Sequence, residues 1–86
     1  MLSRGVGDKI ESFGPTYPFE RLRILLSSAD ITFANLECVI SSNGDPMPEK
    51  EIRFRAVPEA VEGLMEAGID VVSLANNHSF DYGRKA

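Results

Sequence analysis

Apolar positions recur at helical spacing in two stretches of the chain and gather into short runs in others. Phe19, Leu22, Leu25, Leu26 and Ala29 fall on one helical face, with Glu20, Arg21 and Arg23 opposite, so a helix is expected over 19–29. Pro18 suits its first position and Glu20 its first turn. Ala60, Val61, Leu64 and Met65 form a second stripe within Pro58–Ala67, which Gly63 weakens modestly and Gly68 closes as a C-terminal cap. Ile31–Leu36 and Asp70–Leu74 carry few polar atoms on either side and are expected to be strands covered on both faces, as in a parallel sheet. Glu51–Ala56 alternates charged and apolar residues, the pattern of a half-exposed strand of edge character. Residues 1–18 are punctuated by Gly5, Gly7, Gly14, Pro15 and Pro18 and predict mostly loop, with at most a helical turn around Val6–Ile10. Ser41–Lys50 and Ala75–Gly83 are polar loops. Helix followed by apolar strand and Asn occurs twice, ending at Asn35 and Asn76, which predicts crossovers and an α/β fold with a partial parallel sheet flanked by helices.

With 86 residues the chain makes one small domain at most. A net charge of −4 argues against a nucleic-acid or anionic-membrane partner, since both need a basic face. No run approaches the roughly 20 apolar residues of a membrane span, and no charged-then-apolar leader opens the sequence. The single cysteine, Cys38, cannot pair internally and reads as a small buried hydrophobe. There is one histidine, His78.

Two polar clusters directly follow the expected core strands: Asn35-Leu36-Glu37, and Asn76-Asn77-His78 with Asp81 beyond. Parallel strands bring both to one rim, outside their carboxyl ends, where ligands bind in open sheets. Glu37 offers a carboxylate, Asn77 an amide oxygen, and His78 an imidazole that ligates a metal or acts as a general acid. Such a set suits Mn²⁺, Mg²⁺, Zn²⁺ or Fe²⁺. Each residue also has an ordinary reading: Asn after a strand is usually a turn former, a lone Glu is a solvated loop carboxylate, and a lone loop His is structural or exposed. Gly7-Asp8 lacks a preceding strand and reads as a turn. Their common position is what lifts the two clusters above these readings.

The runs Ser28-Ala29-Asp30-Ile31-Thr32-Phe33-Ala34-Asn35-Leu36-Glu37, Ile52-Arg53-Phe54-Arg55-Ala56 and Gly68 through Gly83, with Ala75-Asn76-Asn77-His78-Ser79-Phe80-Asp81-Tyr82-Gly83 at its end, closely resemble the bacterial capsule-synthesis, poly-gamma-glutamate biosynthesis (CapA/PgsA-type) proteins. That family looks like a branch of the metallophosphoesterases, layered α/β/β/α sandwiches with two metals at strand ends. The resemblance implies metal ligation by Glu37 and Asn77, a catalytic pair of His78 and Asp81 in which Asp81 orients His78, and Asn35 and Asn76 in the surrounding shell. It implies divalent metals as cofactors, a phosphoester or anionic polymer as substrate, and other capsule-synthesis subunits as partners. A non-catalytic scaffold of an exopolymer machine is the alternative. Family members are often membrane-anchored with an outward-facing domain. The stretch from Met1 to Val6 resembles the segment just after the family's first metal-binding Gly-Asp, and the family's further histidines lie beyond the position of Gly83. Residues 1–86 are accordingly expected to be a partial domain lacking the first strand and the C-terminal part.

Overall fold

Helix α1, Arg4–Phe13, forms where loop is expected. Gly5 and Gly7 each disfavour a helix by about 1 kcal/mol. Leu2 and Ile10 outweigh them by entering the core, while Asp8, Lys9 and Glu11 face solvent. Gly14, at φ 95°, ends the helix, its N–H donating to the Ile10 carbonyl at 2.8 Å. In the computed structural model, which describes residues 2–86, Met1 lies outside the described residues.

The helix expected over 19–29 contracts to a 3-10 turn at Tyr17–Phe19 and α2, Arg23–Ser27. Leu22, Ile24 and Leu25 stay exposed. A helix this short draws its stability from packing, and little packs on this stripe. The Ser27 and Ser28 hydroxyls donate to carbonyls one turn back, at Arg23 (2.5 Å) and Leu25 (2.7 Å).

Strands β1 (Phe33–Asn35) and β4 (Val71–Ser73) pair in parallel, with Phe33 opposite Val71 and Asn35 opposite Ser73. A second parallel pair joins β2 (Val39–Ile40), which the pattern did not announce, to β3 (Arg55–Ala56), a shortened form of the strand expected over 51–56. The result is an α/β arrangement of helices and short parallel strands in two separate pairs. Cover on both faces does not hold: Ile31, Phe33 and Val71 are 71%, 64% and 49% exposed, while Ala34 and Val72 are half-buried. The core sits instead between α1, β2, β3 and the start of the helix at Ala60–Glu66, around Leu2, Ile10, Cys38, Ala56 and Ala60 with Leu36 and Phe54 against it. Cys38 is buried there, and that burial raises its thiol pKa, so it is the inert hydrophobe expected.

Helix α3, Ala60–Glu66, buries Ala60 of the expected stripe and packs the partly buried Leu64 against the core, but leaves Val61 and Met65 exposed and buries Gly63 and Ala67 in their place. It ends as expected at Gly68, φ 81°, whose N–H donates to Met65 while that of Ile69 donates to Leu64. Gly63 is there for contact: a Cβ would lie 2.0 Å from the Pro15 carbonyl oxygen. By helix propensity alone, Gly63→Ala would stabilise by about 1 kcal/mol. The collision reverses the sign, and the expected result is a loss of about 2 kcal/mol, read as a lower urea midpoint. A gain in stability would show that α3 does not rest on this turn.

Candidate functional site

The parallel register of β1 and β4 delivers both polar clusters to one rim. The Leu36 N–H donates to the Ser73 carbonyl at 3.0 Å just past the strand ends. Asn76 then ties the two exits together. Its Nδ2 donates to Asn35 Oδ1 at 3.1 Å and to the Leu36 carbonyl at 3.0 Å, and its Oδ1 accepts the His78 N–H at 3.0 Å. Asn76 is therefore both staple and turn former, the side chain capping its own turn two residues on.

That turn aims His78 inward. The ring is buried against Phe54, centroids 4.3 Å apart, and Arg4 lies over Phe54 at 5.0 Å. Asp81, the largest fully buried side chain among the described residues, sits behind the imidazole. Its Oδ2 lies 2.7 Å from His78 Nδ1 and accepts the Phe54 N–H at 2.7 Å, and its Oδ1 pairs with Lys50 Nζ. Burial pushes the Asp81 carboxyl up, but Lys50, the Phe54 amide and His78 together outweigh it and hold it below its ordinary value. An ionised carboxylate only accepts, so His78 Nδ1 is the donor in this contact and Nε2 is the ring nitrogen left outside it.

The depressed carboxyl gives stability a pH dependence. An unfolded chain takes up a proton at Asp81 near pH 4, before the folded chain does, so the contribution is complete above that pH and is lost as pH falls through the folded value. Urea midpoints at pH 6 and pH 3 should differ, the acid one lower; equal midpoints would mean that Asp81 is not held ionised.

Asn77 and His78 line an open depression with Lys50, Glu51, Ile52 and Phe54. Glu37 is half-buried two residues past Asn35, but it is not in that lining. The rim thus joins Asn35, Asn76, His78 and Asp81 through direct contacts and sets Asn77 beside them, while Glu37, on the β1 exit, does not line the depression. Sequence reasoning does not pick out Lys50 and Phe54. They lie 31 and 27 residues before Asp81, in a loop and a strand edge whose pattern carries no mark of this contact. Among the described residues, no three His, Cys, Asp or Glu side chains gather as a metal ion would need.

The family described as bacterial capsule synthesis protein (PGA_cap) matches residues 1–86. The chain belongs to this bacterial capsule synthesis family. The capsule biosynthesis protein CapA of Bacillus anthracis is 32% identical over 88 residues, an alignment covering 99% of this chain and 21% of that protein. A probable polyglutamine synthesis accessory protein of Mycobacterium tuberculosis is 35% identical over 65 residues, covering 74% of this chain and 17% of that protein. An uncharacterized protein of Sinorhizobium fredii is 37% identical over 70 residues, covering 76% and 15%. The chain thus spans about a fifth or less of the length of these relatives. No helix among its described residues is long and apolar enough to cross a membrane.

Proposed function

We propose that this segment supplies one wall of a metallophosphoesterase-like site in a capsule-synthesis protein, acting on a phosphoester or on a bond of an anionic polymer. The observation that supports this most is the His78–Asp81 contact at the shared rim. A buried, ionised carboxylate holds Nδ1 and leaves Nε2 to take up a proton and return it, the arrangement a general acid–base histidine needs. Asp81 acts through His78 and is a positioning residue, its carboxylate being committed to three donors.

The donor chemistry fits a hard divalent cation in part. Glu37 and Asn77 bring oxygen ligands of the right kind, one from each strand exit, and Asp81 is excluded by its donors. When bound, a divalent metal would supply charge to polarise an oxygen or acidify a water. The residues of this chain do the rest: Asn76 and Asn35 hold the rim together, and His78 takes up and returns a proton at Nε2. An anionic polymer and other capsule-synthesis subunits are the substrate and partners this reading favours.

In a protein of the relatives' full length carrying this segment, Glu37→Ala should lower both bound Mn²⁺ and phosphodiester hydrolysis. His78→Ala should lower hydrolysis about 100-fold or more while leaving most of the metal in place. Metal analysis and turnover on the same samples separate the two. Hydrolysis and metal content indifferent to both substitutions would sink the enzyme reading and leave the scaffold one.

A further inference from the structure

We infer that Lys50 is a positioning residue for His78, gripping it from both sides. Its Nζ donates to Asp81 Oδ1, on the carboxylate behind the ring, and to the Asn77 carbonyl oxygen, in the peptide that precedes His78. The N–H of that same peptide is held by Asn76 Oδ1 at 3.0 Å. The peptide plane is therefore pinned at both ends, and the imidazole is pinned through Asp81. Asp81 Oδ2 serves His78 and the Phe54 N–H, so Lys50 is the cation that leaves Oδ2 free for them while balancing the buried charge.

The backbone supports this arrangement. Met47 donates its N–H to the Asp81 carbonyl at 2.8 Å, Lys50 donates to the Met47 carbonyl at 3.2 Å, and Arg53 Nη1 caps that carbonyl at 2.9 Å. The 47–53 segment is thus stitched to the His78–Asp81 turn, which places the ammonium. Lys50, 32% exposed, also forms part of the wall of the depression that His78 and Asn77 line. Its role as a positioning residue for chemistry rests on the reading proposed above; its hold on the ring does not.

A single histidine makes the test direct, because side-chain ¹⁵N spectra of the chain report His78 alone. At pH 8 the wild-type ring should appear as one tautomer, protonated at Nδ1. Folded Lys50→Met should show a mixture of tautomers, with the Nδ1 proton exchanging with solvent at least about 10-fold faster. Lys50→Arg, which keeps the charge, should restore the single tautomer. A mixed tautomer in the wild-type chain overturns the inference whether or not the variant folds, and an unchanged single tautomer in folded Lys50→Met overturns it as well. These spectra involve neither metal nor substrate. Failure of metal binding or hydrolysis would strike the enzyme reading and leave this result standing.

Discussion

Asp81→Ala should remove about 3 kcal/mol of the fold's stability and leave the chain only marginally folded at 25 °C. The carboxylate accepts from Lys50, from the Phe54 N–H and from His78, so its removal strands three donors at once, one of them a cation. Breaking a buried ion pair by deleting one partner costs about 3–5 kcal/mol, and the partial exposure of Lys50 places this case near 3. At about 0.05–0.15 kcal/mol per residue, a chain of 86 residues holds on the order of 4–13 kcal/mol in all. The core here is made largely of small side chains, Cys38, Ala56, Ala60 and Ala67 among them, which puts the total toward the low end. For a urea slope of about 1 kcal/mol per molar, the midpoint should fall by about 3 M. A fall below about 0.5 M, followed by circular dichroism, would show that the Asp81 contacts carry little of the fold.

The isolated chain should self-associate through the open face of the β1–β4 pair. Ile31, Phe33 and Val71 lie exposed there, Phe33 directly opposite Val71, and both strands are short and unpaired on their outer edges. Exposed apolar strands with free edges are the usual start of association. Sedimentation velocity over a dilution series should show a mass that rises with concentration. Phe33→Thr with Val71→Thr puts residues of high strand propensity in both strands while removing the apolar contact, and should shift the distribution to monomer. A wild-type chain that is monomeric at every concentration and melts in one cooperative step would contradict this expectation.

The parallel pairing of Phe33–Asn35 with Val71–Ser73 was legible because each run is short, apolar and followed by Asn, with a helix-length stretch between them. The closing of α3 at Gly68 was legible for a local reason, since a positive φ after a helix favours glycine. Helix α1 was not legible: Gly5 and Gly7 argue against it locally, and only the burial of Leu2 and Ile10 reverses the balance. The helix over 19–29 failed in the opposite sense. Its periodicity is real, but periodicity stabilises a helix only when something packs on the stripe, and Leu22 and Leu25 face outward. Gly63 reads as a weakness in α3 until the Pro15 carbonyl is seen against it.

The residue types at the rim, their order and their place after two apolar strands are properties of the sequence alone. They are enough to bring Asn35, Asn76, Asn77 and His78 to one edge, because a parallel pair leaves both carboxyl ends on the same side. The capsule-synthesis resemblance lies in the same residues. What the tertiary structure decided is which of them meet. Asn76 turned out to span both exits, Asp81 to be buried behind His78, Glu37 to stand outside the depression, and Lys50 to arrive from a loop 31 residues away. The His78–Asp81 contact is local and was implied by the resemblance, but those of Asn76 and Lys50 join segments distant in the chain, and a side chain's partner across such a gap depends on how loops pack in three dimensions, for which spacing along the sequence holds no information.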